Sequence, residues 1–328
     1  MAGSKASAAK AAAAKPVAQS APASPGKGGG TSTKLTMSSE DIVLDAHPIA
    51  EGGEAEVFRG ELWGDAVAIK RLRLKEGRSP EELLQELHHE VAIMASLSFK
   101  HVLSVTGTLE DTPQPCIVLE YMQGTLYDLA HALYSDAAGE GKEAKLLRYL
   151  HDVAKGCAYL HARSPAVLHR DLKPPNVLYN EQHECKLCDF GTALLLAPFD
   201  EPPTEEIGTA MYMAPEVDGA KPYGLPADIF SFGVMAYECY YVLEYGTDFY
   251  ADMDAVFNGM EVLGPVRSEP QEMPERPSSC ADDGVWDLVC ACLDVQPDKR
   301  PEAKQIARDV GKARSADAAR GDPLAKTI

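Results

Sequence analysis

The sequence predicts an α+β fold in two lobes: a small β-rich lobe with one main helix, then a larger, mainly α lobe. Three observations carry this. Short apolar runs of strand character dominate up to Met122, and helical spacing of apolar residues dominates after it. One strongly helical stretch, Ser79 to Leu97, interrupts the strand-rich part. The chain has 328 residues, 45 % of them hydrophobic, which is enough for one sizeable core at the upper end of single-domain size. The organisation expected is a tail over residues 1–40, a folded unit over 41–312 divided between 122 and 123, and a short tail over 313–328.

The first segment, Met1 to Lys34, holds five lysines, no arginine and no acid, with alanine runs and Pro, Ser and Gly clusters. Such a composition cannot bury a core, so disorder is expected. It has no apolar run long enough for a signal or membrane-spanning segment, and Ala2 is not the glycine that N-myristoylation needs. An acid-poor, Ala/Ser-rich tail shares features with organelle transit peptides, but the lack of arginine favours a solvated tail. The cytoplasm is the expected location, with the nucleus or an organelle as alternatives. The formal charge is −19, and the tail lysines make the remainder more acidic still. That argues against nucleic-acid or anionic-membrane binding and suits basic partners. Eight cysteines without a secretory signal imply free thiols. Cys185-x-x-Cys188 has no second CxxC or paired histidines, so it reads as structural rather than as a zinc site.

In the first lobe, Ala66-Val67-Ala68-Ile69-Lys70 is a β-prone run ending in a lysine. The helix after it has local start signals: Ser79 as N-cap, Pro80 at the first position, and Glu81 and Glu82 at the positive dipole end, with Glu82 completing a capping box. Leu83, Leu84, Leu87, Val91 and Met94 recur at helical spacing and define its inward face, and Glu90 lies beside it. Cys116 to Met122 is an apolar strand, and Gly124 and Thr125-Leu126-Tyr127-Asp128 turn into the next helix.

The second lobe carries the most informative stretch, Val167 to Gly191. It contains His169-Arg170-Asp171, Lys173, Asn176 and Asp189-Phe190-Gly191. Asp171 is a carboxylate suited to accept a hydrogen bond from a hydroxyl nucleophile. Asn176 and Asp189 are hard oxygen ligands suited to magnesium, and Lys173 can neutralise charge on a transferred phosphoryl group. The β-branched and leucine residues that flank them, Val167, Leu168, Val177 and Leu178, make the paired motifs at this spacing hard to obtain by chance. Downstream come Gly208-Thr209-Ala210-Met211-Tyr212-Met213-Ala214-Pro215-Glu216, Asp228-Ile229-Phe230-Ser231-Phe232-Gly233 and Cys292-Leu293-Asp294 with Arg300-Pro301.

Taken in this order, the motifs resemble the eukaryotic-type protein kinases over roughly Ala46 to Val310. The resemblance implies a bilobal kinase fold, ATP and Mg2+ as cofactors, and protein substrates. It assigns Lys70 to the phosphates with Glu90 as its partner, Asp171 to the substrate hydroxyl, and Asn176 and Asp189 to the metal. It puts Leu119 at the back of the adenine site, Glu120 and Met122 at the adenine edge, and Ala68 and Leu178 among the nucleotide contacts. It makes Asp228 the anchor of the catalytic-loop backbone and pairs Arg300 with Glu216. The phosphate-covering loop departs from the family's G-x-G-x-x-G-x-V. Anchored on Val57, its glycine positions are Ala50, Gly52 and Ala55, with Gly53 as an extra glycine. Loss of two glycines suggests a looser or altered nucleotide grip, and it is the basis of an alternative reading as a pseudokinase or nucleotide-binding scaffold.

Lys173, and Thr209 after Gly208, resemble the serine/threonine class. Met213 and the Cys292/Arg300-Pro301 ending resemble its tyrosine-kinase-like branch, the mixed-lineage and Raf-like groups. In the family an arginine at position 170 docks a phosphate on the activation segment, here Asp189 to Glu216. Thr204 is the expected acceptor, which implies an upstream activating kinase. The alternative is that Asp200, Glu201, Glu205 and Glu206 pair with Arg170 without modification.

Overall fold

A computed structural model describes residues 36–74, 77–136, 141–247 and 275–321, with side chains to 316. The tail expected over Met1–Lys34 lies outside the described residues. The part expected to continue it, up to residue 40, is structured: Thr36–Met37 forms β1, and Ser39–Asp41 forms a 3-10 turn. Two long-range contacts explain this. Met37 packs on an apolar cluster of the sheet, and the backbone N–H and hydroxyl of Ser39 donate to Asp111.

The small lobe is a six-stranded sheet. Its strands are β1, β2 (Ile42–Glu51), β3 (Ala55–Leu62), β4 (Asp65–Leu72), β5 (Val105–Leu109) and β6 (Cys116–Glu120), in the order β1-β5-β6-β4-β3-β2. All neighbours are antiparallel except β1 with β5. Strand alternation gives the sheet two apolar faces. Phe58, Leu62, Val67, Ile69, Leu109, Cys116 and Val118 form a separate outer cluster. Ala55, Ala68, Ile117 and Leu119 belong to the main core, which the helix also joins.

That helix, α1 (Pro80–Ser96), has the expected capping box: Glu82 N–H donates to the Ser79 hydroxyl at 3.2 Å, and Ser79 N–H to the Glu82 carboxylate at 2.8 Å. Its buried residues are Leu83, Leu87, Glu90, Val91, Ile93 and Met94. Leu84, placed inward by spacing, is only half buried, and Ile93 takes its share of the core.

The large lobe begins with β7 (Gly124–Thr125) and α2 (Leu126–Ser135), which Thr125 and Asp128 cap as a box. Next come the long α3 (Lys142–His161), then β8 (Ala166–Leu168), β9 (Val177–Tyr179), β10 (Cys185–Leu187) and β11 (Leu194–Leu196). β9 pairs with β10 and β7, and β11 with β8, so short antiparallel pairs frame the stretch from Val167 to Gly191. The remaining described elements are mainly helical: α4 (Pro215–Asp218), α5 (Pro226–Tyr245), α6 (Asp283–Cys292) and α7 (Ala303–Gly321). α5 is buried on nearly all sides, as its apolar composition all round requires. α7 continues past residue 312, where a tail was expected to begin. No helix among the described residues is long and apolar enough to cross a membrane.

Candidate active site

Strand alternation brings the small-lobe residues to one face. Lys70 is the cross-strand partner of Val57, and Ala68 that of Leu119, so all four point to the same side of the sheet. Ala68, Leu119 and Met122 are buried in the main core, with Val57 and Leu178 packed against it. The N–H of Glu120 donates to the Ser104 carbonyl at 3.2 Å, and its carboxylate is held by Lys186 and Ser104 N–H. Met122 N–H has no such backbone partner among the described residues.

Lys70 Nζ donates to both carboxylate oxygens of Glu90, at 2.7 and 2.9 Å, and to Asp189 Oδ1 at 2.8 Å. Burial opposes charge on Lys70, but the two carboxylates outweigh it and raise its pKa. Burial also pushes Glu90 up, with Lys70 pulling it down and the Asp189 charge adding to the rise. On Asp189 the order reverses: burial opposes ionisation, and Lys70 lowers its pKa nonetheless. The trio therefore shares one firmly protonated lysine. Asp189 reaches it from a left-handed backbone conformation, φ 63°, while Phe190 is fully buried 5.1 Å from the His169 ring.

Asp171 is buried, and three side chains hold its carboxylate. Its carboxylate accepts from Thr209 Oγ1 at 2.7 Å and Asn176 Nδ2 at 2.8 Å, and pairs with Lys173 Nζ at 2.8 Å. Lys173 also donates to Thr209 Oγ1 at 2.7 Å. Gly208 makes this approach feasible. Its φ is 120°, and a Cβ there would lie 2.3 Å from the Arg170 carbonyl. From beneath, Asp228 accepts the backbone N–H groups of His169 and Arg170, both at 2.9 Å, and His161 Nε2 lies at 2.9 Å from the same carboxylate. Burial opposes its charge, but the His161 hydrogen bond lowers its pKa, so it stays an acceptor. Arg300 and Glu216 form the expected buried fork, with Nη1 and Nη2 at 2.6 and 2.8 Å from the two oxygens.

The phosphate-covering loop shows why alanine is tolerated. Positive φ among the described non-glycine residues occurs at Trp63, Arg170, His183, Asp189 and Ala220, not at Ala50 or Ala55, and neither Gly52 nor Gly53 has positive φ. Ala50 pairs with Val57 in β2, and Ala55 is a buried residue of β3. Neither alanine therefore stands in a backbone conformation that favours glycine. Cys185 and Cys188 are free and buried, burial pushes both thiols up, and no metal-holding group of His, Cys, Asp and Glu occurs among the described residues.

Three positions at the site were not apparent from sequence. His161 completes the Asp228 anchor. His89, on α1, has Nε2 at 3.2 Å from the Ala193 carbonyl. Arg73 contacts the phosphate-covering loop. Arg71 and Arg73 are two apart at the end of a strand, so their shared side was the one available signal. His161 and His89 had none, because their partners are remote in sequence.

The protein kinase domain family matches residues 45–310. The chain is similar to a putative mitogen-activated protein kinase kinase kinase 7-like protein of Drosophila melanogaster, 28 % identical over 280 residues, which are 83 % of this chain and 66 % of that protein. It is 35 % identical to the serine/threonine-protein kinase STY46 of Arabidopsis thaliana over 272 residues, 81 % of this chain and 44 % of that protein. With the Arabidopsis serine/threonine-protein kinase CTR1 it shares 38 % over 191 residues, 58 % of this chain and 23 % of that protein. The chain thus spans under half of the two Arabidopsis relatives and about two thirds of the Drosophila one. With the family matching most of the chain and the motif residues brought together in the fold, the chain belongs to the protein kinase family.

Proposed function

We propose that this chain is an ATP-dependent protein serine/threonine kinase. The observation that carries the reading is the hydrogen-bonded set Asp171, Lys173, Asn176 and Thr209, together with Lys70 bridged to Glu90 and Asp189. Asp171 accepts a hydrogen bond from the substrate hydroxyl and aims its oxygen at the γ-phosphorus. The new P–O bond forms as the bond to the bridging oxygen breaks, and ADP leaves with that electron pair. The hydroxyl proton passes to Asp171 or to a phosphate oxygen. Lys173 stabilises the charge developing on the transferred group, and Lys70 holds the phosphates of the nucleotide.

The residues present fit magnesium. Asn176 spends its amide N–H on Asp171, which leaves its carbonyl oxygen, and Lys70 takes Asp189 Oδ1, which leaves Oδ2. Both are hard oxygen donors. When bound there, the ion would neutralise charge on the phosphates. Protein substrates follow from the family, and an acidic body suits basic segments around the acceptor hydroxyl. The test is γ-phosphate transfer to a basic protein by the purified chain. Transfer to serine or threonine, lost in Asp189→Asn, is expected. No transfer above that variant would reject the reading.

A further inference from the structure

The loop between β2 and β3 is held from outside by arginine. Arg73, one residue past β4, places Nη1 3.0 Å from the Gly52 carbonyl. Its Nη2 lies 2.9 Å from both Glu51 Oε2 and Glu56 Oε1. Its backbone N–H donates to the Glu54 carbonyl at 2.9 Å. One residue thereby engages four positions of the loop and its flanks. Arg71 takes the other oxygen of Glu56, at 2.9 and 3.2 Å, and stacks over the Phe58 ring at 4.1 Å. Arg78 lies 3.6 Å from Glu54. Within the loop, Gly52 N–H donates to the Ala55 carbonyl at 2.9 Å.

This lattice answers two problems at once. Glu51, Glu54 and Glu56 are three carboxylates on a segment that must lie over a polyphosphate, and unpaired they would repel it. The loop also lacks two of the family's glycines, yet neither alanine there needs a positive φ. The bonds to Arg73 pull the Glu56 carboxyl below its usual range, with Arg71 adding to this.

We propose that Arg73 is a positioning residue for nucleotide. It braces the Gly52 carbonyl and offsets the flanking carboxylates, so that grip on the phosphates is set by arginine bracing instead of glycine freedom. The proposal rests on the kinase reading above. Arg73 touches the loop and acts on the phosphates only through it.

The experiment compares wild type, Arg73→Gln and Arg73→Lys. It measures direct binding of ATP, ADP and adenosine, and the KM and kcat for ATP. A wild type that binds no ATP would reject the kinase reading and, with it, any role in nucleotide grip. That result is distinguishable from a loss confined to the variants. In a wild type that binds ATP, Arg73→Gln is expected to weaken ATP and ADP by about tenfold, the scale of lost charge-assisted hydrogen bonds at a half-exposed site. Adenosine binding should stay within about twofold, since adenosine carries no phosphate to feel the loop. KM should rise while kcat holds. Arg73→Lys keeps the charge but loses the fork, and should fall between the two. Equal losses for adenosine and ATP would mark a merely structural role and overturn the proposal. Unchanged ATP binding in Arg73→Gln would overturn it too. If Arg73→Gln does not fold, the same contrast between ATP and adenosine is read from Arg73→Lys.

Discussion

Lys70 owes its importance to being one cation shared between two carboxylates. Glu90 is buried on α1 and Asp189 belongs to the large lobe, so the lysine ties the sheet both to α1 and to the start of the activation segment. Lys70→Met removes the cation that both carboxylates share. Phosphoryl transfer is expected to fall roughly a hundredfold, about 3 kcal/mol of barrier for one preorganised cation in a dry site. Single-turnover transfer measures this, and near-normal turnover would remove Lys70 from the site. At this scale most of the chemistry was legible, because His169 to Gly191 packs its residue types into one run whose spacing carries the chemistry. Thr209 was read from its place after Gly208, and the structure closes it onto both Lys173 and Asp171. Arg73 was hidden for the opposite reason. A lysine/arginine-rich strand end usually points to solvent, and only the hairpin register shows that Glu56 stands opposite Arg71 and within reach of Arg73.

The activation segment is the element whose state the sequence left open. Its start is gripped by Arg170, whose Nε donates to the Thr192 carbonyl, and by His89 on the next carbonyl. Further along, Tyr223 N–H donates to the Pro203 carbonyl at 3.1 Å and its hydroxyl to the Glu205 carbonyl at 3.0 Å. Thr204 is thus presented, exposed, between two anchored neighbours. Among the described residues no carboxylate forms an ion pair with Arg170, so the acids nearby do not satisfy it in place of phosphate. A phosphate on Thr204 would bring roughly −1.5 to −2 charges to a segment whose start Arg170 already holds. Phosphatase treatment and Thr204→Ala are each expected to lower activity by about ten- to a hundredfold, the scale of one or two charge-assisted hydrogen bonds. Full activity in both would sink the switch. Elements were legible where their signals are local. The Ser79–Glu82 and Thr125–Asp128 boxes are read within four residues, whereas β1 is two residues long and exists only because β5 is there to pair with it.

At the scale of the whole molecule, the two lobes meet at the back through a short stretch after α1. Leu187 N–H donates to the His101 carbonyl at 3.0 Å, Leu103 N–H returns to the Leu187 carbonyl at 2.9 Å, and Val102 bridges to Leu187. The bilobal division was visible in the change of periodicity at Met122. This joint was not, since it joins residues far apart in the chain. The His101 ring is buried in it, with Nδ1 2.9 Å from the Cys185 carbonyl and Nε2 3.6 Å from Asp152. Asp152 is also bound by Lys155 at 2.8 Å, so it does not act as a free counter-ion. Burial lowers the His101 pKa, the Cys185 carbonyl and Asp152 oppose this, and Lys155 and Lys100 add to the lowering. The folded pKa thus lies below the unfolded value near 6.5, so above about pH 6.5 the histidine is neutral in both states and costs nothing. As pH falls below that, the unfolded chain binds the proton more readily, and stability declines until pH passes the folded pKa. His151, also lowered by burial, adds a parallel decline. Denaturant unfolding of wild type should therefore lose stability between about pH 6.5 and 5. His101→Gln, which has no proton to take up, should lose less over the same range while His151 and the carboxylates remain as a common background. Identical pH slopes for the two proteins would show that the joint between the lobes does not titrate through His101.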